Sequence, residues 1–289
     1  FQQEAINHIN NGHSVIVSAP TGAGKTAIAE HVISTALEKD IGVIYTAPIK
    51  ALSNQKFRDF QGQFKDKIGI LTGDVSLNPF APVLIMTTEI LRNKILDEPA
   101  SLDKYSWVIF DEIHYIDNPE RGTVWEESLI FLPKQMNILG LSATIPNIKQ
   151  FASWIESIHN KPVKTVIEEK RPVPLHFYFQ SGNEVVDKID RLKRMRLSKP
   201  NKLFGLINYI REREGLPCIY FVFGRRRAED LALDLASLNF IDKDEKIKIT
   251  QLYSSLCDKF GLKSDRTAQN LYQLIEKGIA YHHAGMLPT

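Results

Sequence analysis

Cysteine is scarce: Cys218 and Cys257 are the only two in 289 residues. A disulfide framework and a four-cysteine zinc site are both excluded. Long apolar runs are missing too, none approaching the roughly 18 residues that a membrane span needs. The opening FQQEAINHIN reads as neither a signal peptide nor a transit peptide. Charge of one sign is also lacking, since 36 Lys and Arg face 34 Asp and Glu for a net +2. Any surface for nucleic acid must therefore come from local basic clusters. What remains is 43% hydrophobic and 24% charged, the composition of a soluble globular protein. The length suits two domains of ordinary size. These features predict an intracellular protein, cytoplasmic or nuclear, with no membrane partner.

Apolar, β-branched runs recur along the chain: SVIVSA (14–19), GVIYTA (42–47), VLIMTT (83–88), WVIFD (107–111) and NILGLSA (137–143). They lack polar alternation, so they read as strands covered on both faces, as in a parallel sheet. Helix-like stretches separate them: TAIAEHVISTALEK, ALSNQKFRDFQ, EILRNKIL and TVWEESLIFL. Alternating strand and helix predicts an α/β fold with ligands at the C-terminal strand ends. KTVIEEKRPVPLHFYF (164–179), with Pro172 and Pro174, reads as an extended linker. The expected organisation is domain 1 over 1–165, a linker over 166–179, and a partial second domain over 180–289. In that last part KLFGLINYIRER and RRAEDLALDLASL read as helices, CIYFVF (218–223) as a strand, and GIAYHHA (278–284) as a further candidate strand.

SAPTGAGKT (18–26) follows a strand and precedes a helix, the context a phosphate-binding loop requires. Pro20, Thr21, Gly22, Ala23 and Gly24 would wrap the phosphates, the backbone N–H groups of the four residues after Pro20 pointing inward and the glycines allowing close approach. Lys25 would reach the β and γ phosphates, and the Thr26 hydroxyl would hold Mg²⁺. Ala19 stands where the strict pattern has its first Gly. VIFDEIHYID (108–117) ends an apolar run on two adjacent acids. Two carboxylates side by side call for a cation. Asp111 would share the Mg²⁺ with Thr26, and Glu112 would orient and deprotonate water for in-line phosphoryl transfer from ATP.

His114 and the SAT turn (142–144) add a resemblance to the DExH-box helicases of superfamily two. DEIHYIDNPERGTVWEE (111–127) is more specific and resembles the superkiller-type RNA helicases that feed the RNA exosome. FQQEAI looks like the glutamine motif, in which Gln2 would read the adenine edge. APIKALSNQKF, TGD (72–74) and TTEILRN look like motifs that carry a nucleic-acid backbone, which implies contacts from Pro48, Lys50, Thr72, Gly73, Thr87 and Arg92. The resemblance makes Lys25, Asp111, Glu112 and His114 the catalytic set, with Ser142 and Thr144 coupling the phosphate site to the nucleic-acid cleft. RPVPL (171–175) resembles the group's inter-domain linker, and CIYFVFGRRRAEDLA and GIAYHHAGMLPT resemble the first motifs of the second domain. The implied fold is two tandem RecA-like domains, parallel sheets covered by helices, the second incomplete. The implied function is ATP-dependent translocation along single-stranded or tailed RNA, with DNA as the other candidate strand and an exosome-like nuclease as partner. Two further motifs of these helicases, one bearing arginine fingers, are not among the 289 residues. The expectation is a chain that binds Mg-ATP and turns it over poorly.

Other readings stay beside this one. A DNA repair helicase of the same clan and a nucleotide-dependent clamp that does not unwind share the motifs; a P-loop ATPase acting on protein would ignore nucleic acid. Arg225, Arg226 and Arg227 could touch phosphate or simply begin a solvated helix. RLKRMRLSK (191–199) reads as a charged helix face or loop. His282 and His283 read as structural or nucleic-acid-facing residues, because no third ligand lies nearby. The three tryptophans sit in apolar patterns and read as core. Residues 242–277 read as a helical insertion.

Overall fold

A computed structural model describes residues 1–182, 184–194, 201–283 and 285–286. The chain divides into two compact units, Phe1–Leu175 and His176–Thr289.

The first unit runs α1 (Gln2–Asn10), β1 (Ser14–Ser18), α2 (Thr26–Glu38), β2 (Gly42–Ala47), α3 (Lys50–Phe64), β3 (Ile68–Leu71), β4 (Ser76–Leu77), β5 (Val83–Thr87), α4 (Thr88–Asp97), β6 (Tyr105–Phe110), α5 (Gly122–Phe131), β7 (Asn137–Ser142), α6 (Ile148–His159) and β8 (Val163–Ile167). The eight strands form one sheet in the order β4-β3-β5-β2-β6-β7-β1-β8. Every pairing is parallel except β3 with β4. This is the α/β layering that the apolar runs predict, and it is consistent with the RecA-like fold that the helicase resemblance implies.

The runs are continuous because both faces are covered. Along β1, Val15 and Val17 enter one core with Ile28, Val32 and Ile33 of α2 and Phe60 of α3. Ile16, between them, enters the opposite core with Leu91 of α4, Trp125 and Leu129 of α5, and Ile155 of α6. Strand residues alternate faces, so apolar partners on both sides require an unbroken apolar strand. Trp107 and Trp154 pack against these cores, and Trp125 is buried in one of them. Among the described residues no helix is long and apolar enough to cross a membrane.

Two assignments change in this unit. The segment opening at Lys164, expected to be linker, begins as strand: β8 pairs with β1 from Ser14↔Val163 to Ser18↔Ile167. The expected boundary at 165 therefore falls inside a strand. Ile68–Leu71 is also a strand, lying between β4 and β5, although four residues carry too short a pattern to register as one.

The second unit contains β9 (Phe179–Ser181) and β10 (Glu184–Val186), an antiparallel pair. It continues through α7 (Ile189–Arg194), α8 (Leu203–Arg211), α9 (Arg225–Asp234), α10 (Lys243–Lys259) and α11 (Arg266–Ile275). Asp242 caps α10 in a reciprocal box with Glu245, which gives the 242–277 insertion a defined helical start. The expected strand at 218–223 does not form. Ile219, Phe221 and Phe223 are 80%, 89% and 101% exposed, and no strand among the described residues pairs with the segment. A strand draws its backbone hydrogen bonds from neighbours, and without them these side chains forgo roughly 1.5–3 kcal/mol each of burial. Residues 279–283 are likewise irregular. Ala284 and Leu287–Thr289 of the GIAYHHAGMLPT segment, and 195–199 of the basic run, lie outside the described residues.

Candidate nucleotide site and adjoining strand ends

Parallel strands put all their C-terminal ends on one edge of the sheet, and the motif residues gather there. β1, β7 and β6 are consecutive in the sheet. They carry the phosphate loop, the SAT turn and the Asp111–Glu112 pair respectively. β3, β5 and β2 are also consecutive, and they lead into Thr72 and Gly73, end at Thr87, and lead into Pro48 and Lys50. The sheet order thus separates a nucleotide half from an adjoining half.

Gly22 and Gly24 both take positive φ, +82° and +85°, a conformation open to glycine at little cost. A Cβ at Gly24 would stand 2.8 Å from the Gln2 amide nitrogen, and that nitrogen donates to the Gly24 carbonyl at 2.8 Å. Gln2 therefore braces the loop from α1. Pro20 is buried, while Thr21, Gly22 and Gly24 are exposed and Ala23 is partly so. Lys25 donates to the carbonyls of Ala19 at 2.8 Å and Pro20 at 3.2 Å. Burial lowers the Lys25 pKa, and the Glu112 and Asp111 carboxylates oppose that shift. The ammonium thus feels both acids. Thr26 opens α2, and its hydroxyl accepts a hydrogen bond from Lys56 of α3 at 3.1 Å.

Asp111 is held at three points. Its backbone N–H donates to the Thr46 carbonyl at 2.9 Å. Its Oδ1 accepts from the Glu112 backbone N–H at 3.1 Å, and its Oδ2 accepts from the Tyr45 hydroxyl at 2.5 Å. Tyr45 is fully buried, and burial together with the Asp111 charge pushes its pKa well above 10. Glu112 has φ 53° and ψ 45°, left-handed backbone that non-glycine residues occupy at a cost and that clusters at functional sites. His114 Nδ1 lies 3.3 Å from Glu112 Oε2. Hydroxyl and carboxylate oxygens are the hard donors that Mg²⁺ takes, so Thr26 and Asp111 fit that ion. The open space beside Gly22 fits phosphate.

At the SAT turn a hydroxyl of the neighbouring strand takes part as well. Ser142 is buried, and its hydroxyl has no partner among the described residues. Thr144 is exposed. A connection runs through Ser18 of β1, which donates to the Ala143 carbonyl at 3.4 Å and accepts from the Ile145 N–H at 3.1 Å. Ser18, Tyr45 and Lys56 all escaped the sequence reading. Their partners lie 127, 66 and 30 residues away, and no local pattern marks such contacts.

Among the strand-end residues, Lys50 pairs with Asp74 at 2.7 Å and lies against Gly73. Thr72 is buried and accepts from the Val75 N–H at 3.1 Å. Thr87 is buried, and Arg92 on α4 faces Glu127 of α5 at 3.4 Å. Pro48 is buried, and its carbonyl accepts from Arg121 at 2.6 Å. Arg121 also pairs with Glu89. That arginine lies in the tail of the DEIH segment and ties the ends of β2 and β5 together, a role sequence alone did not assign. Gly122 follows it because a Cβ there would meet the Ile116 carbonyl oxygen at 2.2 Å.

In the second unit, Arg225, Arg226 and Arg227 open α9. His283 hydrogen-bonds Glu229 at 2.8 Å. No metal-holding group of three or more His, Cys, Asp or Glu side chains occurs among the described residues.

Residues 1–151 match the family profile described as DEAD/DEAH box helicase. The whole chain aligns with the Exosome RNA helicase MTR4 of Homo sapiens at 39% identity, covering 31% of that protein. The DExH-box ATP-dependent RNA helicase DExH9 of Arabidopsis thaliana is 37% identical over the whole chain, which covers 33% of it. The Superkiller complex protein 2 of Homo sapiens is 39% identical over the whole chain, which covers 26% of it. The chain spans a third or less of the length of these relatives.

Proposed function

The chain belongs to the DEAD/DEAH box helicase family, and from that premise we propose that it forms the ATP-binding motor core of an RNA helicase of the superkiller type. The observation that carries the reading is geometric and electrostatic. The sheet order β6-β7-β1 brings the phosphate loop and the Asp111–Glu112 pair to one edge, where the Lys25 ammonium feels both carboxylates, which supports a single site.

In this reading the backbone of Pro20–Gly24 and the Lys25 ammonium bind the triphosphate, and Gln2, which braces the Gly24 carbonyl, would read the adenine edge once nucleotide is bound. Thr26 and Asp111 hold Mg²⁺, which when bound neutralises phosphate charge. Glu112 accepts the proton of the attacking water on its carboxylate, with His114 Nδ1 beside it at 3.3 Å as the further member of the catalytic set. Pro48, Lys50, Thr72, Gly73, Thr87 and Arg92 line the strand ends where a nucleic-acid backbone runs. Of these, Lys50 and Gly73 are exposed, and Thr72 and Thr87 shape the loops from beneath. The SAT turn, through Ser18, ties the phosphate loop to its neighbouring strand. Domain 1 acts with the second unit as a two-part motor, and the preferred strand is RNA because MTR4 and DExH9 are named RNA helicases. An exosome-like nuclease is the proposed partner.

The test uses the chain extended to include the arginine-finger motif and compares its ATP hydrolysis with equal lengths of single-stranded RNA and DNA at one fixed salt concentration, since phosphate contacts are salt-dependent. Stimulation by RNA alone is the expected result. Stimulation mainly by DNA would move the protein to the repair branch of the clan, and indifference to both strands would overturn the motor reading.

A further inference from the structure

The helix α3 reaches two oxygens that would hold the metal, Thr26 Oγ1 directly through Lys56 and Asp111 Oδ2 indirectly through Phe60 packed on Tyr45 of β2. On one side the Lys56 ammonium, partly buried, donates to Thr26 Oγ1 at 3.1 Å. One helical turn on, Phe60 is buried to 1% exposure, with the Lys56 nitrogen 5.9 Å from its ring centroid. Phe60 packs edge-on against Tyr45, the centroids 5.4 Å apart at 79°. Tyr45, at 0% exposure, donates its hydroxyl proton to Asp111 Oδ2 at 2.5 Å. Residues four apart lie on one helix face, so Lys56 and Phe60 act from the same side of α3. The helix itself begins at Lys50, in the segment expected to contact nucleic acid.

We propose that Lys56 and Tyr45 are positioning residues for the metal site, set by α3 and acting in opposite senses. The inference rests on the ATP reading above. Tyr45 is uncharged and donates to one carboxylate oxygen of Asp111 while the Glu112 N–H holds the other. It therefore aims the carboxylate and favours a divalent ion. Lys56 brings a cation to the Thr26 hydroxyl, the same oxygen that Mg²⁺ would use. Two cations cannot share that oxygen, so Lys56 competes with the metal, and the metal must displace it. The position of α3 then sets how readily Mg²⁺ enters, by moving one promoter and one competitor together.

The experiment titrates Mg²⁺ against binding of a fluorescent ADP analogue to the 289-residue chain, starting from EDTA, and reads the half-saturating Mg²⁺ concentration. Net hydrogen-bond worths of 0.5–1.5 kcal/mol correspond to about threefold to tenfold in affinity. Tyr45→Phe should raise the half-saturating concentration by about that factor. Lys56→Met should lower it, and Lys56→Arg, which keeps a donor cation, should stay near wild type. General damage to the fold would move Tyr45→Phe and Lys56→Met in the same direction. That result, or no shift in either variant, overturns the proposal while leaving the ATP reading intact. A wild-type chain whose nucleotide binding ignores Mg²⁺ would overturn the proposal alone, and one that binds no nucleotide at any Mg²⁺ concentration would overturn both.

Discussion

Glu112 carries a backbone cost that substitution can expose. Its φ of 53° places an L-residue in left-handed space, worth about 1–2 kcal/mol against it. Glycine there bears no such cost but loses about 0.5–1 kcal/mol more chain entropy on folding. Glu112→Gly should therefore stabilise the first unit by about 0.5–1 kcal/mol. The side chain is partly exposed, so solvent screening keeps its contacts with Lys25 and His114 small. With a urea slope of about 2 kcal/mol/M, the unfolding midpoint should rise by about 0.25–0.5 M. Tryptophan fluorescence reads this directly, since Trp107, Trp125 and Trp154 all lie within Phe1–Leu175. Glu112→Gln supplies the control: it keeps the backbone strain, so the midpoint should not rise, while bound ATP should persist unhydrolysed. A Glu112→Gly midpoint at or below wild type would refute the strain argument. So would an equal rise in Glu112→Gln, because that would place the effect in the charge.

Two further outcomes follow from the same unit. Arg121→Met removes a charged donor from the Pro48 carbonyl and from Glu89; charged hydrogen bonds are worth about 1.5–3 kcal/mol, discounted here to about 1–2 because both side chains are a third exposed. The urea midpoint should fall by about 0.5–1 M with a weaker grip on single-stranded RNA in a filter-binding assay, and a fall under about 0.2 M would show that the clamp is idle. Burial pushes the Tyr105 phenol up to about 12 from 10, so the unfolded chain ionises first. Its contribution is fully present below pH 10 and is lost as pH rises from 10 to about 12, for roughly 3 kcal/mol in all. Between pH 9 and 11.5 wild type should lose more urea stability than Tyr105→Phe, and equal losses would argue against a raised phenol.

The nucleotide half of the site was legible for a physical reason. SAPTGAGKT concentrates glycines with positive φ, a lysine and a hydroxyl in nine consecutive residues, and a loop of that kind is built by local chemistry. Asp111 and Glu112 stood out because two acids ended an otherwise buried strand. The central strands could be read because burial on both faces forbids polar residues along them. Less was visible where the signal was short or shared: Ile68–Leu71 is a four-residue strand, and Val163–Ile167 carries Lys164 and Thr165 at the sheet's far edge, where the pattern resembles linker. CIYFVF shows the converse. It has the composition of a strand, and without neighbouring strands beside it the composition is not enough.

By itself, then, the sequence determined the candidate chemistry: which loop is suited to phosphate, which acids end the neighbouring strand, and which family the chain joins. Tertiary structure alone decided who holds those groups in place. Ser18 links the phosphate loop to the next strand, Tyr45 aims Asp111 from 66 residues away, Lys56 contests the Thr26 hydroxyl, and Arg121 joins two strand ends. Each of these is a contact between segments distant in the chain. Residue type and spacing dictate local conformation, but the order of strands in the sheet chooses which side chains meet.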